Sequence, residues 1–221
     1  MTELDTVIFD MDGLLVDSEP LWGIAANDVF AKYGFKLSPE QHITTTGLRT
    51  REFVHWWFQH FNIPAGEESK AEDMIIDRVL QLIDKDCKMM PGVEHVFTLF
   101  ESLNFKIGIA SSSPDSLINL VMEKTGIKQH VHGTASGQML PYGKPHPQVY
   151  LNCAETLQSI PSNCISFEDS FYGMIAAKAA RMKCVIVPDY KTYKQERWAA
   201  ADLKLSSLQN FNSLHLDMLQ R

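Results

Sequence analysis

The chain has 221 residues, 45% hydrophobic and 21% charged, the make-up of an ordinary globular protein with room for one sizeable core. Its net charge of −7 argues against nucleic acid as the main partner, because a phosphate-backbone binder needs a basic surface. No apolar run approaches the roughly 18–20 residues of a membrane span, and a strand pattern begins within a few residues of the N-terminus, which argues against a signal peptide.

The first element is "TVIFD" (6–10), an apolar run that ends in an acid, followed at once by Met11, Asp12 and Gly13. From about Asp17 to Asp86 there is no strand pattern, only helical periodicity. "EPLWGIAANDVFAKYG" has Pro20 near a helix start and closes at Gly34. "REFVHWWFQHF" and "AEDMIIDRVLQLIDK" repeat apolar residues every three or four positions. Strands then alternate with helices: "KIGIAS" (106–111), "VHGTAS" (131–136), "CISFED" (164–169) and "CVIVP" (184–188), with helices expected at about 93–104, 114–125, 146–158 and 171–181. Pro91-Gly92 and Pro161 punctuate the joins. The pattern predicts an α/β, doubly wound, mostly parallel sheet, with a helical cap inserted after the first strand. The expected division is a core of residues 1–16 and 89–221 and a cap of residues 17–88. The four cysteines, Cys87, Cys153, Cys164 and Cys184, form no CxxC pair and fall mostly in apolar segments, as free thiols in a reducing cytosol do.

In open α/β sheets ligands bind beyond the carboxyl ends of the strands. Asp10 ends the first strand and Asp12 follows it on the loop, so both are expected in that crevice. D-x-D-G also resembles a calcium-binding loop, but that loop wants glycine sixth and glutamate twelfth, and here Gly13 is fourth with "LLV" following. Three further stretches stand at strand ends. "IASSS" places Ser111 and Ser112 before a helix, either as an anion site or as a simple helix cap. "GKPHPQVY" puts Lys144 before another helix, as a charge for a phosphate or as a solvated lysine. "FEDSFYG" ends the fourth strand with Glu168 and Asp169, which suit Mg²⁺ or cap the next helix.

Taken together, acid-x-acid, serine, Lys-Pro and Glu-Asp in this order resemble the haloacid dehalogenase (HAD) superfamily over nearly the whole chain. The helical insertion is similar to that of the β-phosphoglucomutase-like phosphatases. "FDMDGLLVDSEPLW" and "GKPHPQVYL" particularly resemble bacterial sugar-phosphate phosphatases, including those acting on 2-deoxyglucose 6-phosphate and hexitol phosphates. The resemblance implies a Rossmann-like core and a Mg²⁺-dependent phosphatase in which Asp10 attacks phosphorus. Asp12 would act as acid and base, and Lys144 with Ser111 and Ser112 would hold the phosphate. Asp10, Asp169, Glu168 (directly or through water) and the backbone carbonyl of Asp12 would hold the metal.

Substrate choice is expected to fall to the cap, with Glu19 and Trp22 at the hinge and Gly47 and Arg49 in "TTGLRTR" (45–51). Arg49 and Arg51 read equally as substrate contacts or as solvated arginines. Trp56, Trp57 and Phe58 read as cap-helix core more than as a binding box, and His146 reads as structural. A β-phosphoglucomutase is the nearest rival, but the histidine and lysine such mutases usually carry align with Trp22 and Thr46. A non-catalytic sugar-phosphate-binding protein is the rival from another class. The expected partner is a small phosphorylated metabolite, with no nucleic acid and no membrane, bound by a cytoplasmic monomer.

Overall fold

Six parallel strands form one sheet in the computed structural model of the chain, which describes residues 4–64 and 66–221. They are β1 (Thr6–Phe9), β2 (Lys106–Ser111), β3 (Gly133–Ser136), β4 (Cys164–Glu168), β5 (Lys183–Ile186) and β6 (Leu203–Lys204). Their spatial order is β3-β2-β1-β4-β5-β6. The chain winds outward from β1 through β2 to β3, then returns to lay β4 against the other side of β1. The winding therefore reverses between β1 and β4, and their carboxyl ends flank the crevice of a doubly wound sheet. The expected strands are present with small shifts at their ends. β6 was not anticipated, because two residues are too short for any periodic signal.

Side chains alternate across β1. Val7 and Phe9 enter one apolar layer and Ile8 enters the other. The first layer is covered by α5 (Val93–Ser102), α6 (Asp115–Thr125) and the terminal α9 (Ser213–Gln220), the second by α7 (Gln148–Thr156) and α8 (Phe171–Ala179). Phe9 stacks on Phe97 at 5.1 Å and on Phe167 at 5.0 Å between ring centres, which locks β1 and β4 to α5 directly beneath the crevice. α7 starts two residues later than expected, after the prolines at 145 and 147.

Between β1 and β2 lie α1 (Glu19–Phe30), α2 (Pro39–Thr44), α3 (Thr50–His60) and α4 (Glu68–Lys85). α1 and α3 pack on α4, and Phe30 is clasped by Phe35 at 4.6 Å and Phe53 at 5.6 Å. Ser38 and Gln41 form a capping box that starts α2. On α3 the apolar run divides as helical spacing requires: Val54, Trp57 and Phe58 are buried, while Trp56 is 58% exposed. The chain enters and leaves this block side by side, with Asp17 N–H donating to Lys88 O at 2.8 Å and Met90 N–H to Leu15 O at 3.0 Å. No helix among the described residues is long and apolar enough to cross a membrane.

Candidate active site

Asp10 leaves β1 with its backbone N–H still donating to Phe167 O at 2.9 Å, so the end of β4 fixes its position. The loop then turns back sharply through Gly13, whose φ of +76° favours glycine. A Cβ there would lie 2.4 Å from Asp169 Oδ2, so only a bare backbone brings this loop so close to the end of β4.

Asp10, Lys144 and Glu168 form the floor. Lys144 Nζ donates to Asp10 Oδ1 at 2.5 Å, to Glu168 Oε1 at 2.6 Å and to Ala110 O at 3.2 Å, and all three residues are buried. The solvated-lysine reading of Lys144 is thereby overturned. Glu168 Oε1 also accepts from the Tyr150 hydroxyl at 2.6 Å, and its Oε2 accepts from Asp169 N–H, Ser170 N–H and Ser170 Oγ at 3.0–3.2 Å. The oxygens of Glu168 are thus fully engaged, and its carboxylate orients Lys144. Gly173, in the first turn of α8, permits this: a Cβ would fall 1.8 Å from Glu168 Oε1.

Asp12 stands beside the floor, gripped from two elements. Its Oδ1 accepts from Ser18 Oγ at 2.7 Å and Trp22 Nε1 at 2.8 Å, both at the root of α1. Its Oδ2 accepts from Ser113 Oγ at 2.7 Å and Ser111 Oγ at 3.3 Å, at the end of β2. Ser112 Oγ donates instead to Gly47 O at 3.1 Å. Gly47, with φ +88°, would place a Cβ 2.7 Å from Ser170 Oγ, so this loop rests against the ends of both β2 and β4.

Burial raises the carboxyls of Asp10 and Asp169 well above the ordinary range. Lys144 works against this at both sites, while Glu168 and the neighbouring aspartates add to it. Burial also works against the Lys144 ammonium, but Asp10 and Glu168 outweigh it and hold its pKa above the usual value. Burial, then Asp12, Asp17 and Asp189, push Glu19 up to about 7. One lysine therefore serves a crowd of acids. Carboxylate oxygens of Asp10, Glu168 and Asp169 lie within 4.8 Å of one another; with those of Glu168 engaged, Asp10 and Asp169 are left as the direct donors, and the excess negative charge fits a hard divalent cation.

Above the floor is an open chamber walled by Glu19, Trp22, His42, Thr45, Thr46, Leu48 and Phe53. Arg49 does not join this wall. It is buried, with its guanidinium donating to Gly137 O at 3.3 Å, to Leu140 O and Pro141 O, and to Glu52 Oε1 at 2.7 Å. The solvated-arginine reading of Arg49 is thereby overturned; Arg51 is exposed. His146 is also exposed, against Tyr142. Tyr150, Ser113, Ser170, Gly173 and His42 escaped the sequence reading. Ser113 is visible only as the third member of the "SSS" run, and Gly173 only as a glycine inside a helical pattern.

Fold and site define a doubly wound α/β protein with its acids at the topological switch point and a helical insertion beside them. The chain belongs to the haloacid dehalogenase-like hydrolase family, whose profile matches residues 7–187. It is 41% identical over 204 residues to hexitol phosphatase B of Escherichia coli K12, covering 91% of each chain. It is 28% identical over 177 residues to a phosphorylated carbohydrates phosphatase of Thermotoga maritima, covering 80% of this chain and 82% of that one. Among solved structures it resembles a β-phosphoglucomutase from Clostridium difficile, with a TM-score of 0.88 at 24% identity, covering 98% and 97% of the two chains.

Proposed function

We propose that the protein is a Mg²⁺-dependent phosphatase of small sugar or polyol phosphates, working through an aspartyl-phosphate on Asp10. The observation that carries the reading is the Asp10–Lys144–Glu168 floor at the switch point, with Asp12 held beside it. The names of the relatives, which act on hexitol phosphates and phosphorylated carbohydrates, support the substrate class.

In the first step an Asp10 oxygen bonds to phosphorus and the ester P–O bond breaks, while Asp12, protonated, gives its proton to the departing alkoxide. In the second, water attacks phosphorus, Asp12 takes its proton, and the Asp10–phosphorus bond breaks to release phosphate. Splitting the reaction in this way turns one difficult displacement into two, and a positioned acid–base group contributes roughly 10²–10⁴-fold. Lys144, and the Ser111 and Ser112 groups at the end of β2, receive the phosphate oxygens. Glu168 keeps Lys144 charged and aimed, so the lysine meets the phosphate without reorganising. Ser18, Trp22 and Ser113 keep Asp12 next to the bond it serves. Mg²⁺, held by Asp10, Asp169 and the Asp12 carbonyl with Glu168 behind them, would offset the repulsion between an anionic nucleophile and an anionic substrate.

Residues 17–88 serve in this reading as a cap over a core of residues 1–16 and 89–221. The free Cys153, Cys164 and Cys184, all buried, suit a reducing cytoplasm, and we place the protein there as a monomer. p-Nitrophenyl phosphate is the test: turnover that needs Mg²⁺ and stops in chelator is expected. Folded protein with no metal-dependent turnover would leave a sugar-phosphate-binding protein instead. Glucose 6-phosphate formed from β-glucose 1-phosphate and a bisphosphate activator would identify a mutase.

A further inference from the structure

Lys144 has three N–H groups and all three are committed, to Asp10 Oδ1, Glu168 Oε1 and Ala110 O. Two of these acceptors are carboxylates, at 2.5 and 2.6 Å, that compete for one ammonium. How the cation divides between them decides whether it stands beside Asp10 or is drawn under the end of β4. A carboxylate with fewer donors pulls harder on those it keeps, so the other donors of Glu168 set that balance. Its Oε2 is held by the groups that follow it on the chain, Asp169 N–H, Ser170 N–H and Ser170 Oγ. Oε1, the oxygen that Lys144 shares, has one other donor among the described residues, the Tyr150 hydroxyl at 2.6 Å.

The chemistry of Tyr150 is at odds with its place. It lies in the first turn of α7, fully buried in the second apolar layer with Ile8, Ala110, Cys153 and Met174. A phenyl ring would fill that space as well, and a buried hydroxyl costs desolvation unless it is answered. Burial, with Glu168 and Asp10 nearby, holds the phenol well above its ordinary pKa, so the hydroxyl keeps its proton and donates. The Lys144 ammonium also lies 5.0 Å from the centre of the same ring. Hydroxyl and ring face therefore act on the two members of one ion pair. Tyr150 follows Lys144 by six positions, across Pro145 and Pro147, so one segment supplies both the cation and the donor that tempers its partner.

We propose that Tyr150 is a positioning residue of the phosphate site: by donating to Glu168 Oε1 it keeps Lys144 from being drawn off Asp10, and so holds the ammonium where a phosphate oxygen meets it. The proposal rests on the phosphatase reading and adds to it a residue that touches neither substrate nor metal.

The test uses Tyr150→Phe, which removes the oxygen and keeps the ring, and Val149→Ala, which opens a cavity in the same turn and the same apolar layer. Glu168→Gln and its double variant with Tyr150→Phe complete the set. Each is measured in Mg²⁺ for kcat and KM on p-nitrophenyl phosphate and a hexitol 6-phosphate. Binding of inorganic phosphate by calorimetry, which needs no turnover, and urea unfolding are measured beside them. Tyr150→Phe should lose about tenfold in kcat and about tenfold in phosphate affinity, the worth of one hydrogen bond to a charged group. The factor should be the same for both esters, because the floor meets only their phosphate. Val149→Ala should be destabilised at least as much, with kcat and phosphate affinity within about twofold of wild type. Adding Tyr150→Phe to Glu168→Gln should cost nothing further, because the hydroxyl acts through that carboxylate.

Tyr150→Phe within about twofold of wild type, losses equal to those of Val149→Ala, or losses that multiply in the double variant overturn the proposal and leave the phosphatase standing. If Glu168→Gln does not fold, Tyr150→Phe against Val149→Ala decides alone. No turnover of either ester by folded wild-type protein overturns the phosphatase reading, and phosphate binding then still decides the role of the hydroxyl.

Discussion

Glu168 in the floor and His42 in the roof are both polar side chains shut away from water, yet they are treated in opposite ways. Glu168 has each oxygen answered by Lys144, Tyr150, Asp169 and Ser170. His42 has a bare ring nitrogen, and the other unanswered buried atoms among the described residues, Arg49 Nε and Glu52 Oε2, also belong to the helical insertion. A saturated network is rigid and specifies one geometry; unmet groups mark where a structure still has a partner to find. In the proposed reading the floor handles the phosphate, a task common to every substrate, and the roof meets whatever that phosphate is attached to.

The contrast is broken most completely at Asp10. Asp10→Asn keeps the shape of the floor but removes the proposed nucleophile, and turnover should fall by about 10⁴-fold or more, on the order seen when a covalent nucleophile is deleted. Circular dichroism should be unchanged. Turnover within tenfold of wild type would mean that phosphorus is not attacked there.

Gly173→Ala tests whether the floor is as tight as its hydrogen bonds imply. The new methyl carbon would meet Glu168 Oε1 at 1.8 Å, so α8 or the carboxylate must move, and the carboxylate holds Lys144. Urea unfolding should show a loss of about 2–4 kcal/mol, as overpacking and a broken buried network together predict. kcat should fall with it. A neutral result would show that α8 gives way freely.

How much of this was legible in the sequence follows the same division. Asp10, Ser111 and Glu168-Asp169 could be read because each sits where an apolar strand run stops, and a parallel sheet gathers such positions at one edge; Lys144, eight residues past the end of β3, could be read from the prolines that follow it and the helix they precede. Tyr150, which completes the floor, is one more apolar-looking position on a helix, and only the fold reveals that its hydroxyl reaches β4. His42 carried no signal at all, since a short helix with mixed composition gives no face to its residues. Arg49 could be read either way until the loop after β3 supplied its carbonyls. The pairs that come from distant positions are what a single sequence leaves unspoken.

Stability in chelator sharpens the comparison from the electrostatic side. The Asp169 carboxyl is raised in the fold, so at pH values above the ordinary carboxylate range the folded chain retains a proton that the unfolded chain has released. Stability of the metal-free protein should therefore fall as pH rises through that raised range, and Asp10 adds in the same direction. Asp169→Asn should flatten the slope and raise the unfolding midpoint at pH 7.5 in chelator, while abolishing turnover in Mg²⁺. A variant less stable than wild type in chelator would show that Asp169 is held by attractions the floor does not display.

The smallest effect concerns the tie between insertion and core. Arg49 and Glu52 pair at 2.7 Å, with side chains 7% and 34% exposed, and Glu52 Oε1 also accepts from Gly143 N–H at 3.2 Å, one residue before Lys144. Because Glu52 remains partly hydrated, the pair is worth far less than a sealed one, and its two orphaned atoms reduce it further. A double-mutant cycle with Arg49→Met and Glu52→Gln should give a coupling of about 1 kcal/mol in urea unfolding. Both single variants should raise KM, since the loop they steady leads directly into the lysine of the floor. Additive unfolding energies with unchanged KM would mean that other ties hold the insertion to the core, among them the Ser112 Oγ–H donating to Gly47 O.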